Sequence, residues 1–115
     1  MKTLLASLHI LCLILLLNLG LSAQELRIKG TVADCITNET IPGVTIVAEG
    51  TNQGTITQSD GTFELIINTE NSILTFSHIS YNTYSQSVSR KSGNLLFLGI
   101  IKLEPNVINL DEVKI

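Results

Sequence analysis

The chain has 115 residues, a length that suits one domain, and a formal net charge of −3. Its few basic residues are scattered, and a mildly acidic chain of this kind is a poor candidate for binding nucleic acid. The two cysteines, Cys12 and Cys35, are far apart, and no Cys/His spacing typical of zinc is present. Composition therefore predicts one small domain without a structural metal.

Residues 1–23 have the layout of a secretory signal peptide. Lys2 precedes an apolar stretch from Ile10 to Leu17, and Ser22 and Ala23 supply small residues before the expected cleavage point. The apolar stretch is shorter than the roughly 20 residues that a membrane-spanning helix needs, and a retained anchor is the alternative. We expect cleavage after Ala23, export to the periplasm or outer membrane, and a mature chain that begins at Gln24.

From residue 24 onward the sequence predicts β-strands throughout. Apolar and polar residues alternate in LRIKGTV, which is the period of a half-buried strand. Six further runs follow in chain order: GVTIVAEG, GTITQ, TFELII, SILTFSHI, the more polar YNTYSQSVS and LLFLGIIKL. We expect YNTYSQSVS to be an edge strand, and Phe63, Phe76 and Phe97 to lie in the core. Seven short strands predict an all-β, immunoglobulin-like Greek-key β-sandwich over residues 24–104, with a small barrel as the alternative.

The expected mature chain offers little catalytic chemistry. His78 is its one histidine and Cys35 its one thiol, so no disulfide can form within it. We expect His78 to be a structural residue at a strand end, because a catalytic base also needs a group that orients it. Asp111 and Glu112 are the one adjacent pair of carboxylates, and an extended segment would point them to opposite faces. We therefore predict no catalytic residues, no metal site and no cofactor.

The stretch GTNQGTITQSDGTF, residues 50–63, could be a ligand loop or a set of turns. A phosphate loop of the Walker type requires a lysine that is missing here, and an EF-hand loop requires several acids where Asp60 stands alone. The Asp-Gly pair is instead typical of a tight hairpin turn, because glycine tolerates a positive φ. We therefore interpret the stretch as architecture. The structural turns that we predict involve Pro42, Gly43, Gly50, Gly54, Asp60 and Gly61.

Several short motifs follow one another in a fixed order along residues 26–103. They read Gly-x-Val, Pro-Gly-Val, Gly-Thr-x-x-Gly and Thr-x-x-Asp-Gly-x-Phe. Their residues are Gly30, Val32, Pro42, Gly43, Val44, Gly50, Thr51, Gly54, Thr57, Asp60, Gly61 and Phe63. The combined pattern resembles the carboxypeptidase-regulatory-like domain, a transthyretin-like β-sandwich. The family's later Ile-Gly-Tyr turn has Ser80 in place of glycine here.

The resemblance also implies a setting for the C-terminal tail, residues 105–115. In Bacteroidetes this domain precedes SusC-type TonB-dependent outer-membrane receptors that import glycans and other nutrients. A segment much like LDEVVV follows it there and resembles a TonB box; this chain has LDEVKI, with Lys114 as the departure. An extended segment can add a strand to a partner's sheet edge. We therefore expect Leu110, Asp111, Glu112 and Val113 to dock a TonB-like energy-coupling protein or a receptor component. Packing of the tail on its own sandwich is the alternative.

The family's other setting is beside metallocarboxypeptidases, where the domain is an accessory fold, so the resemblance implies no enzymatic activity. The predicted function is a non-enzymatic, exported binding or accessory module, in short or standalone form. The alternative is a standalone carbohydrate-binding module of the cell envelope that binds glycan. Such modules use exposed aromatic platforms, for which Tyr81 and Tyr84 are the available residues in the expected mature chain.

Overall fold

The computed structural model describes residues 2–19 and 25–106. Helix α1 lies within the segment interpreted as a signal peptide, and within the described ranges no helix is long and apolar enough to cross a membrane. The expected cleavage point after Ala23 lies outside the described residues. The elements are α1 (Lys2–Leu19), β1 (Leu26–Asp34), β2 (Thr45–Ala48), β3 (Gly54–Ile56), β4 (Thr62–Ile67), β5 (Asn71–His78), β6 (Tyr81–Ser89) and β7 (Leu95–Leu103).

The seven strands form two sheets, with strand orders β4-β1-β7 and β3-β2-β5-β6. Strand β1 pairs antiparallel with β4 and parallel with β7, whereas every pair in the four-stranded sheet is antiparallel. The predicted seven-stranded β-sandwich is therefore confirmed. Strand β6 lies at the edge of its sheet, as its polar sequence predicted.

Alternation along each strand decides which side chains fill the space between the sheets. On β4, Phe63, Leu65 and Ile67 are buried while Glu64 is exposed, because successive side chains point to opposite faces. The rings of Phe63 and Phe76 meet edge to face with centroids 5.7 Å apart, which joins the two sheets at the centre of the core.

Phe97 departs from the prediction, because its side chain is 69% exposed on the outer face of β7. The register of β7 against β1 shifts where Gly99, with φ of 71°, inserts an extra residue. Leu98 packs against the core before this bulge and Ile101 after it. LLFLGIIKL is apolar almost throughout, so its sequence has no alternation from which the buried face could be read. The prediction that all three phenylalanines are core residues is wrong for this one.

The turn at Asp60-Gly61 is tight, but it does not close a hairpin. The Gly61 N–H donates to the Gln58 carbonyl at 2.9 Å, and the Gln58 N–H donates to the Thr62 carbonyl at 2.8 Å. Strands β3 and β4 nevertheless lie in different sheets, so the turn carries the chain across the sandwich. The hairpin prediction is wrong because turn residues specify a reversal of direction, whereas sheet membership depends on where each strand finds its partner.

The neighbouring glycines have different roles. Gly50, with φ of 76°, lies in the short connection of a true hairpin between β2 and β3, where the Ala48 N–H donates to the Gln53 carbonyl at 3.1 Å. Gly54 is the first residue of β3 and pairs with Val47 instead of forming the turn. Gly43, with φ of 75°, follows Pro42 in the turn before β2.

Candidate partner-docking end of the sandwich

The C-terminal tail leaves the sandwich along the first residues of β6. The Asn82 N–H donates to the Glu104 carbonyl at 2.8 Å, and the Asn106 N–H donates to the Ser80 carbonyl at 2.8 Å. Between these bonds, Tyr81 and Pro105 form an antiparallel bridge. The chain therefore passes from the three-stranded sheet to the edge of the four-stranded sheet immediately before the tail residues that sequence reasoning singled out.

A buried carboxylate organises the same end of the sandwich. Asp34 is the last residue of β1, and its Oδ1 accepts from the backbone N–H groups of Ile36 at 2.7 Å and Thr37 at 3.1 Å. Its Oδ2 accepts from the Tyr81 hydroxyl at 2.9 Å. One side chain thus holds the loop after β1 and ties it to the start of β6, beside the point where the tail leaves. We call the loop 35–39, the turn 79–80 and residues 103–106 the tail-exit end.

These contacts shift the ionisation of both side chains. The N–H groups of Thr37 and Ile36, and then the Tyr81 hydroxyl, hold the pKa of Asp34 below its usual value because they donate to the charged carboxylate. Burial, the hydrogen bond to Asp34 and the charge of that carboxylate raise the pKa of Tyr81. At neutral pH the pair is therefore a carboxylate and a phenol, which is the state that the hydrogen bond requires.

Two isoleucines in the loops of the tail-exit end are exposed. Ile36 is 72% exposed and Ile79 is 92% exposed. Both belong to segments tied to the tail's root: the adjacent Cys35 N–H donates to the Leu103 carbonyl at 3.0 Å, and Ser80 accepts from Asn106.

The predicted docking residues Leu110, Asp111, Glu112 and Val113 lie outside the described residues, so their role stays a prediction. Sequence reasoning missed the Asp34–Tyr81 pair. An aspartate at the end of a strand and before a loop is a known turn signal, because its carboxylate accepts backbone N–H groups two or three residues on. Nothing in the sequence pointed to Tyr81 as the second partner, since 47 residues separate the two side chains.

The two tyrosines proposed as a sugar platform are engaged with the sandwich. The Tyr81 ring packs against the core and its hydroxyl donates to Asp34, while the Tyr84 hydroxyl donates to the Gln86 side chain at 2.9 Å. The Tyr84 ring also lies against Phe76, with centroids 6.0 Å apart. A separate shallow depression of about 640 Å³ has a hydroxyl-rich lining without aromatic rings; its polar residues are Glu49, Thr51, Thr69, Asn71, Ser72, Ser87 and Ser89.

His78, which was weighed as a catalytic base, is engaged in the turn after β5. His78 accepts from the Ser80 N–H through Nδ1 at 3.1 Å, and its ring meets Tyr81 edge to face with centroids 5.4 Å apart. These contacts are those of a residue that shapes the turn between β5 and β6. Across residues 2–19 and 25–106, no three side chains of His, Cys, Asp or Glu come together in a way that could hold a metal ion.

Comparison with known families fits this geometry. The sequence model of the family described as CarboxypepD_reg-like domain matches residues 28–115. The chain belongs to this family. Among its relatives, the TonB-dependent receptor SusC of Bacteroides thetaiotaomicron is 34% identical over 80 residues, covering 70% of this chain and 8% of the receptor. The TonB-dependent receptor P39 of Formosa agariphila is 31% identical over 104 residues, covering 88% of this chain and 10% of the receptor. The chain therefore spans about a tenth or less of the length of these family members.

Solved structures with similar folds bear on the fold of this chain only. A cohesin–X-dockerin complex from Acetivibrio cellulolyticus superposes with a TM-score of 0.56 at 16% identity, covering 70% of this chain and 56% of that one. The pilus 2b backbone protein of group B streptococcus gives a TM-score of 0.51 at 16% identity, covering 69% and 40%. At such low identity these likenesses concern the arrangement of strands.

Proposed function

We propose that this chain is an exported, non-enzymatic accessory domain of a TonB-dependent nutrient receptor, in short or standalone form. The observation that carries the proposal is the pattern of its relatives. They bear the name TonB-dependent receptor, yet they align with this chain over only 8–10% of their length. A compact β-sandwich that recurs as a small part of much longer proteins is typical of an appended module.

In this proposal the tail is the docking element and the sandwich is its base. Leu110, Asp111, Glu112 and Val113 bind the edge of a sheet in a TonB-like energy-coupling protein by adding a strand, so that backbone hydrogen bonds supply affinity. The root of the tail supports this role, because Glu104 is bonded to Asn82 of β6 and Asn106 to Ser80 in the turn before it, which holds the chain at a fixed point of the surface. A short tether from a rigid base limits the conformational entropy lost on binding.

A capture experiment tests the docking role. The chain is expressed with its signal segment in a bacterium that exports it, and is recovered from the cell envelope. It is then mixed with the periplasmic domain of the energy-coupling protein of that bacterium. Deletion of residues 110–115 should abolish capture while the thermal unfolding midpoint stays unchanged. A large fall in that midpoint would instead assign the tail to the sandwich and contradict the proposal.

Two substitutions at one position separate backbone pairing from side-chain packing. Val113→Pro removes an N–H that a strand pair needs and should abolish capture, whereas Val113→Ala keeps the N–H and should retain most of it. Equal capture by both variants would show that the tail does not dock as a strand. Export is checked on the same material by mass spectrometry, which should find Gln24 at the N-terminus; intact Met1 would contradict a cleaved signal peptide.

A further inference from the structure

The four strands at the edges of the two sheets differ in how they are protected against pairing with another strand. Strand β3 has only three residues, and β4 carries Glu64. Strand β7 is interrupted by the bulge at Gly99 and carries Lys102. Strand β6 has nine residues, YNTYSQSVS, without a charge, a proline or a glycine. Sheet edges are normally blunted by just these features. On β6 a register shift against β5 precedes Tyr84, and the bridge between Tyr81 and Pro105 covers the start of the strand, so residues 84–89 are the unguarded edge of the described sandwich.

The register shows which backbone groups this edge presents. The Glu49 N–H donates to the Ile73 carbonyl at 2.9 Å, so Ile73 faces β2 and its neighbours Ser72 and Leu74 face β6. Their partners Val88 and Gln86 must then face β5. The backbone groups of the alternate residues point away from the sheet. After the register shift that precedes Tyr84, these residues are Ser85, Ser87 and Ser89.

The described start of the tail, residues 104–106, leaves residues 84–89 of this edge uncovered. Glu104 is bonded to Asn82 and Asn106 to Ser80, so the chain runs antiparallel to β6 and leaves at the end away from Thr83. Among the described residues, the outer side of residues 84–89 is therefore open to a second molecule.

We propose that the edge of β6 pairs antiparallel with the same edge of a second copy of this chain. A two-fold axis at Gln86 sets Ser85 opposite Ser87 of the second copy, and Ser87 opposite its Ser85. Each such pair can exchange two backbone hydrogen bonds. On the inner face the same register sets Tyr84, which is 39% exposed, opposite Val88 of the second copy. An aromatic ring opposite a β-branched residue is a favourable cross-strand pair.

Charges at the two ends of the edge are complementary in this arrangement. Exposed Glu104 lies beside Asn82 at one end, and exposed Lys91 follows the other end two residues after Ser89. Antiparallel pairing brings Lys91 of the second copy next to Glu104, and it does so twice because of the symmetry. A strand edge alone buries less than the roughly 1,000 Å² typical of a stable interface, so the dimer is weak and reversible.

Sedimentation velocity over a wide concentration range, on the full chain as recovered from the envelope, measures this association. Ser85→Lys with Ser87→Lys sets like charges opposite each other twice and should weaken association about tenfold. Thr45→Lys, an exposed position on β2 in the interior of the same sheet, is the matched control and should leave association unchanged. Circular dichroism checks that each variant folds.

Two further measurements decide the register and the surface. Lys91→Glu should weaken the dimer, and adding Glu104→Lys should restore it, which only the proposed juxtaposition predicts. Hydrogen exchange should slow at Ser85 and Ser87 as concentration rises. A sedimentation coefficient that does not change with concentration overturns the proposal. So does slowed hydrogen exchange along β7 together with loss of the dimer in Phe97→Lys. Deletion of residues 110–115 should leave association unchanged, so the outcome is independent of the tail's role.

Discussion

Replacing Gly61 with alanine should destabilise the sandwich more than the same change at any other turn glycine described above. Gly61 has φ of 81°, a region that L-residues rarely adopt. It is also pressed against the loop before β2. A Cβ atom at Gly61 would lie 2.6 Å from the Thr40 Cβ, 3.0 Å from the Val32 carbonyl oxygen and 3.2 Å from the Ile41 nitrogen. Two of these three neighbours are backbone atoms, which cannot move aside by changing rotamer.

The magnitude follows from two separate costs. The left-handed conformation costs an L-residue about 1–2 kcal/mol. Displacing packed neighbours adds about 1–3 kcal/mol, as for other overpacked sites. The neighbours cannot shift freely, because the Val32 N–H donates to the Gly61 carbonyl and the Ile41 N–H donates to the Val32 carbonyl, both at 2.9 Å. We therefore expect Gly61→Ala to lower the free energy of unfolding by about 2–5 kcal/mol.

Gly43→Ala is the matched control. Gly43 has nearly the same φ, 75°, but no atom lies within 4 Å of where its Cβ would be, so only the conformational cost of about 1–2 kcal/mol applies. Urea unfolding, followed by circular dichroism, measures the free energy of unfolding of both variants. The two values can be compared if the slope of this free energy against urea concentration is the same for both. Equal losses for the two variants would refute the reasoning that close backbone approach, in addition to φ, selects glycine at position 61.

Three further changes test the rest of the sandwich. In urea unfolding, Phe76→Ala should lower the free energy of unfolding by about 3–5 kcal/mol, because its ring is fully buried. Phe97→Ala should lower it by less than about 0.5 kcal/mol, because its side chain is 69% exposed. Similar values for the two variants would contradict the placement of Phe97 on the outer face. Thr57→Val should cost about 1–3 kcal/mol, since the buried hydroxyl accepts from the Val44 N–H and donates to the Ile41 carbonyl; a neutral result would show that neither bond matters. Because the pKa of Asp34 is lowered in the folded state, its contribution to the free energy of unfolding is complete above the usual value of 3.8 and is lost as pH falls through the folded-state pKa. Asp34→Asn should therefore reduce the fall in stability at acid pH, as measured by urea unfolding at a series of pH values. An unchanged acid dependence would contradict this.

Local pattern was sufficient for the strands. TFELII, YNTYSQSVS and LLFLGIIKL coincide with β4, β6 and β7, because β-branched and aromatic runs between turn residues favour extended backbone whatever they pair with. The buried face was readable where apolar and polar residues alternate, as on β1 and β4. It was unreadable on β7, where the residues around Phe97 are apolar on both faces and a bulge at Gly99 changes which face is buried.

The candidate site was predictable only in part. The tail was singled out by its likeness to a receptor segment, and its docking role stays a prediction. The Asp34–Tyr81 hydrogen bond could not be predicted, because it joins the end of the first strand to the start of the sixth and exists only once both sheets are stacked. The same holds for the unguarded edge. The sequence indicated that YNTYSQSVS is a polar strand at the edge of a sheet, but not which of its backbone groups face outward.

By itself, the sequence determined the strands, the family and the turn glycines Gly43, Gly50 and Gly61, since these depend on residues close together in the chain. Tertiary structure alone decided that β3 and β4 separate into different sheets, that β1 and β7 run parallel, and that Gly61 lies against the backbone of residues 32 and 41. The physical reason is the same in each case. Turn chemistry and alternation fix direction and face over a few residues, whereas partners are chosen by burial of apolar surface between segments that are distant in sequence.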